Sequence, residues 1–145
     1  MRTALHILFA LLTLGVLMGT SPEVHADPIT VEVRTIAAST NGEAFDTRLN
    51  PLKGQLTKAF RGYKSFTLEG KRTLRLKDSK SKSMPLPNGS ELTLTHHGMA
   101  GNLIKLGLSL AGKMSTMLRV SRGSTFFQAG MDYGDGILIV AITVN

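Results

Sequence analysis

Through most of this chain apolar and polar residues alternate one by one, the pattern of strands with one face in a core and one in solvent. Ile29, Val31 and Val33 alternate with Thr30, Glu32 and Arg34. Further on, Lys64, Phe66 and Leu68 alternate with Tyr63, Ser65, Thr67 and Glu69; past Gly70, Leu74 and Leu76 alternate with Lys71, Thr73, Arg75 and Lys77. With Gly70 at the reversal this predicts a hairpin. One segment breaks the period. Phe45, Leu49, Leu52, Leu56 and Phe60 recur every three or four residues and so line one face of a helix. Either Asp46 or Asn50 supplies its cap, the latter with Pro51 in the first helical position, and Gly62 ends it.

The second half continues as short strands. Residues 78–83 (DSKSKS) read as a polar loop, and MetProLeuPro at 84–87 as an edge strand, because proline has no N–H for a ladder. Asn88-Gly89 marks a tight turn before Leu92 and Leu94. Inward positions follow at Ile104, Leu106, Leu108 and Leu110, then at Met114, Thr116, Leu118 and Val120. ThrPhePheGlnAla at 125–129 is a short strand whose adjacent phenylalanines point to opposite faces, and the glycine-rich stretch 129–136 is a loop. The final run, 137–144 (ILIVAITV), is apolar on both faces. It predicts a central strand covered by another sheet on one side and by the helix on the other. About eight or nine short strands, with turns every 8–12 residues and one helix after the first strand, give a mainly β chain: an antiparallel β-sandwich or small barrel.

The amino terminus has a different character. Met1-Arg2 is followed by residues 3–22 without a charge, and residues 4–18 (ALHILFALLTLGVLM) are about one signal-peptide core long, shorter than a bilayer span. Val24 and Ala26 occupy the small-residue positions before a cut, so residues 1–26 are expected to be a signal peptide and 27–145 a single sandwich domain. The competing reading is an anchor left uncleaved. Without any cysteine the chain has no thiol for lipid attachment and no disulfides, so its core holds by burial and hydrogen bonding alone. An exported domain of that kind points to a bacterial periplasm, with an extracellular location as the alternative.

Of the 145 residues, 17 are Lys or Arg and 10 are Asp or Glu, a net charge of +7 that survives removal of residues 1–26 because Arg2 and Glu23 leave together. The basicity is concentrated at 71–82 (KRTLRLKDSKSK), where Lys71, Arg72, Arg75, Lys77, Lys80 and Lys82 accompany one acid, Asp78. On a strand, Lys71, Arg75 and Lys77 share one face, with residues two apart separated by about 7 Å. Such spacing suits a repeating polyanion: a phosphate-bearing polymer, anionic lipid heads or an acidic partner surface. Lysines on an exposed strand also deter sheet-to-sheet aggregation. Nucleic-acid binding is not expected, because stacking aromatics are not interleaved with these cations.

Other constellations are thin. His96-His97 are neighbours on a strand, so their rings project to opposite faces and do not clamp one metal ion; they are the only metal candidates, and no cofactor is implied. Asp132 and Asp135 are three apart, whereas a calcium loop spaces its acids two apart, so a glycine-bearing turn explains them better. No G-x-S-x-G is present, and no catalytic residue is assigned. The expected function is that of an exported, non-enzymatic binding or assembly module of the cell envelope, using an edge strand such as 84–87 and the basic patch. Its partner would be an envelope protein or an anionic polymer or lipid, with membrane contact only peripheral. The alternatives are a carrier of an apolar ligand held against Leu49, Leu52, Leu56 and Phe60, and a small histidine-dependent metal or hydrolytic enzyme.

Overall fold

The computed structural model describes residues 25–145; the apolar stretch at 4–18 lies outside the described residues. The elements run β1 (Ile29–Ser39), a 3-10 turn (Thr47–Leu52) leading into α1 (Lys53–Ala59), β2 (Ser65–Leu76), β3 (Ser81–Pro85), β4 (Glu91–Ala100), β5 (Leu103–Leu110), β6 (Met114–Val120), β7 (Thr125–Tyr133) and β8 (Gly136–Val144). They form two four-stranded antiparallel sheets, ordered β2-β1-β8-β7 and β3-β4-β5-β6. The mainly β sandwich with one helix after the first strand, expected from the alternation, is the architecture observed.

Two cores lie on opposite faces of the first sheet. Between the sheets, Ile29, Val31, Val33, Leu74, Leu76, Val140 and Ile142 meet Leu92, Leu94, Ile104, Leu106 and Leu108. On the outer face, Leu49, Leu52 and Leu56 from the helical segment cover Ile36, Ala38, Phe66, Ile139 and Ala141. Strand β8 belongs to both, which is why its residues alternate between two apolar environments instead of between core and water. Phe126 and Phe127 divide the same way: the first packs on the sandwich core, the second meets Phe60 edge-on at 5.9 Å. The helical segment starts at Asp46, whose carboxylate accepts from the Arg48 backbone N–H at 3.0 Å. Pro51 falls inside the 3-10 turn, so Asp46 is the cap and Asn50 is not.

Three expectations change. Residues 65–76 make one continuous strand, not a hairpin about Gly70. Thr35 is opposite Gly70 and Ile36 opposite Leu68, so Glu69 is an extra residue in a β-bulge. That extra residue inverts the facing of the strand, sending Phe66 and Leu68 to the helix side and Leu74 and Leu76 into the sandwich. Glycine suits position 70 because a Cβ there would lie 3.1 Å from Thr35 Oγ1. Next, β3 begins at Ser81, inside the expected polar loop, and is held to β4 by Ser81–Thr95 and Ser83–Thr93 hydroxyl bonds of 2.6 and 2.7 Å. Last, β7 continues to Tyr133. Its register shifts between Gln128 and Met131, so part of the expected glycine loop is a second bulge, and the turn shrinks to Gly134-Asp135.

Candidate functional site

Strands β2 and β3 are the edges of their respective sheets on the same side of the sandwich, joined by residues 77–80. That connection is tightly held. The Ser79 N–H donates to the His96 carbonyl at 2.8 Å, the His96 N–H donates to the Lys80 carbonyl at 3.0 Å, and the Lys80 N–H donates to the Lys77 carbonyl at 3.0 Å. Ser79 takes a left-handed φ of 62° to make the turn. Lys77 and Lys80 are therefore mounted on a fixed turn, not on a free loop.

The six cations of the basic run separate into two groups. Arg75, Lys77, Lys80 and Lys82 line one cleft of about 390 Å³ along the edge between the sheets. None of the four has a carboxylate partner among the described residues. Lys71 and Arg72 line a second cleft further along the same edge, with Thr35, Glu69, Gly70, Met84 and Leu86. Lys71 Nζ lies 3.6 Å from Glu32 Oε2, a carboxylate that Arg34 also contacts, so its charge is partly neutralised. Arg72 is opposite Val33, a core residue, and so projects from the inner side of β2, whereas Lys71 and Arg75 project from the outer side.

The one acid of the run is engaged elsewhere. Asp78 Oδ2 accepts the Ala26 N–H at 2.9 Å and lies 3.9 Å from His25 Nδ1. The Ala26 N–H, with smaller help from the Ser79 N–H and the His25 ring, holds its carboxyl below the usual carboxylate range. Asp78 belongs to a third cleft, of about 420 Å³, that it lines with His25, Ala26, Asp27, Pro28, Lys77 and Lys80. Two of the four cations thus border an apolar-walled recess as well as the cationic one.

The two histidines occupy opposite faces of their strand, as alternation requires. His96 is fully buried, with Nε2 3.0 Å from the Asp27 carbonyl and Nδ1 3.1 Å from the Gly98 N–H. The pairing fits a neutral ring that donates from Nε2 and accepts at Nδ1. Both nitrogens are committed, so the ring ties the segment ahead of β1 to the second sheet. His97 lies on the outer face over Gly107, where a Cβ would come within 2.8 Å of its Nε2. Among the described residues no three His, Asp or Glu side chains group as metal ligands. Asp135 caps the β7–β8 turn onto the first loop, accepting from Ser39 Oγ at 3.1 Å and Asn41 Nδ2 at 3.0 Å, and these bonds keep its carboxyl below the ordinary range. Asp132 sits in β7 opposite Ile137.

The helix face offered as a carrier site is filled by the protein itself. Leu49 and Leu56 are fully buried, and the rings of Phe45 and Phe66, and of Phe60 and Tyr63, stand 5.6 and 6.5 Å apart. Sequence reasoning found the cations but not their division, which depends on the bulge at Glu69 and on Lys82 lying in β3. Comparison with protein-family models, with curated proteins and with solved structures finds no match to the chain.

Proposed function

We propose that this protein is an exported, non-enzymatic binding module of a bacterial cell envelope, and that its edge cleft holds phosphate groups of a repeating polyanion. The observation that carries the reading is the cleft of Arg75, Lys77, Lys80 and Lys82, four cations without acidic partners on a hydrogen-bonded turn and two strands. Charges left uncompensated at one edge repel one another, and a ligand of opposite sign relieves that repulsion. The cleft is open and its cations come from successive positions, so a polymer or a lipid surface suits it better than one small anion. Export rests on the amino-terminal sequence pattern, with residues 27–145 as the mature chain.

Replacing Arg75, Lys77, Lys80 and Lys82 together by serine tests this. Each cation beside an anionic surface contributes about 1 kcal/mol, so at low salt the variant is expected to bind roughly a thousandfold more weakly. Lys71→Ser, which removes a partly neutralised charge, is expected to have a much smaller effect. Immobilised polyphosphate and vesicles containing an anionic phospholipid serve as the two probes, and preference for one identifies the source of the phosphate. Unchanged retention of the fourfold variant on both probes would overturn the reading. Mass spectrometry of the protein from the producing cell checks export: the expected amino terminus is Asp27.

A further inference from the structure

The two sheets present four edges, and three of them are unsuited to pairing with another strand. β2 carries the bulge at Glu69 and a row of cations, β3 is five residues long with Lys82 and Pro85, and β7 carries the bulge before Met131 with Gly130 at a φ of 109°. Lysine, proline, bulges and short strands are the means by which sheets prevent edge-to-edge association. β6 has none of them. All seven residues, Met114–Val120, pair with β5 in one unbroken register, and the strand includes no glycine, proline or lysine. This is a different edge from the one suggested by the MetProLeuPro segment, where Pro85 takes a donor out of β3.

We propose that β6 is the self-association edge of this protein, pairing antiparallel with β6 of a second copy about a two-fold axis through Met117. The register follows from the sequence of the strand. Centring on Met117 sets Met114 against Val120 of the second copy, Ser115 against Arg119 and Thr116 against Leu118. Each pair joins residues of the same facing, so inner face meets inner face and the two four-stranded sheets become one of eight. It is also the only centring that engages the full strand. The single charge in β6, Arg119, is then opposite a serine and not opposite itself; a two-fold axis through Arg119 would place like charges together.

Burial points the same way. Met117 is 51% exposed, the most exposed large apolar side chain among the described residues, and it sits at the middle of the free edge on the outer face. On the inner face Met114 and Leu118 pack against the core but remain only partly buried. Pairing covers Met117 with its own counterpart and finishes the burial of the other two. The interface is isologous, the commonest arrangement for soluble oligomers. It lies at the β6 side of the sandwich, away from the cationic edge formed by β2 and β3, so it stands whether or not the anion reading does.

The absence of cysteine makes a direct test simple. Met117→Cys places one thiol per chain on the axis, and opposed residues of antiparallel strands have Cα atoms about 4.5–5.5 Å apart, within the range a disulfide spans. With copper-phenanthroline as oxidant, Met117→Cys is expected to give a covalent dimer rapidly. Ser115→Cys, whose thiols stand opposite arginines, is expected to do so slowly. Adding Arg119→Cys to Ser115→Cys should restore rapid cross-linking. Sedimentation of the purified wild-type chain should show a concentration-dependent dimer, and Met117→Lys, a change at an exposed site, should be monomeric with an unaltered circular-dichroism spectrum and a melting temperature that matches wild type only at dilutions where wild type is itself monomeric. Wild type that stays monomeric at every concentration, equal cross-linking at 115 and 117, or a dimer that persists in Met117→Lys would each overturn the proposal.

Discussion

His96 shows how one buried polar side chain organises the approach to β1. Its two ring nitrogens satisfy the Asp27 carbonyl and the Gly98 N–H, and its own backbone accepts and donates to the turn carrying Lys77 and Lys80. His96→Ala removes both bonds and leaves a cavity where a fully buried ring stood, and emptying a core site costs about 2–5 kcal/mol. A loss of several kcal/mol in urea denaturation is therefore expected, against little change for exposed His97→Ala. Three carboxylates set the response to acid. Asp46 accepts from the Arg48 side chain and from the backbone N–H groups of Leu68 and Arg48, and these bonds push its carboxyl far below the normal range. Asp135 is lowered too, and so is Asp78 as long as the chain retains Ala26, whose N–H is the main cause. The unfolded chain therefore takes up protons first, so the stability these groups supply is complete above about pH 4. It is lost as pH falls through their folded-state values. The urea midpoint of Asp46→Asn should accordingly fall less steeply with acid than that of wild type.

Elements in this fold are legible in proportion to how local their causes are. The dual character of β8 is written in Ile137–Val144, because a run apolar on both faces must be covered twice. The helix shows in the spacing of Leu49, Leu52 and Leu56. The bulges do not show, because an inserted residue leaves alternation intact on either side and only the partner strand reveals the slip; from sequence alone Gly70 therefore looks like a turn. The cationic cleft was half visible: the charges are contiguous in sequence, but their facing depends on Glu69. Glycine at 136 has an equally non-local reason, since a Cβ there would overlap the Ala38 carbonyl oxygen and crowd the backbone of Ser39. Gly136→Ala must displace β1 or β8, and a loss of roughly 3 kcal/mol or more is expected from such strain. Gly70→Ala, facing only the Thr35 hydroxyl, should cost less. Calorimetry of the two variants ranks them.

At the scale of the molecule, the first sheet is shared by two cores that do not touch, and β8 contributes to both. Neither half then unfolds alone without stripping one face of that strand. Leu56→Ala on the helix side and Leu106→Ala between the sheets should each lower stability by about 2–5 kcal/mol. Both should keep a single transition with an unchanged denaturant slope; a second transition in Leu56→Ala would mean that the helical cap melts separately.

The clamp on residues 26 and 27 bears on the proposed cut after Ala26. Ala26 is fastened through its N–H to Asp78, and Asp27 through its carbonyl to His96, so the bond between them is held on both sides. A peptidase needs several residues drawn out into its groove, and here that means unfastening the strut under the lysine-bearing turn. On the proposed reading, a cut at this bond would be made during emergence, while the chain is still slack, and a chain that had already closed up would be cut slowly.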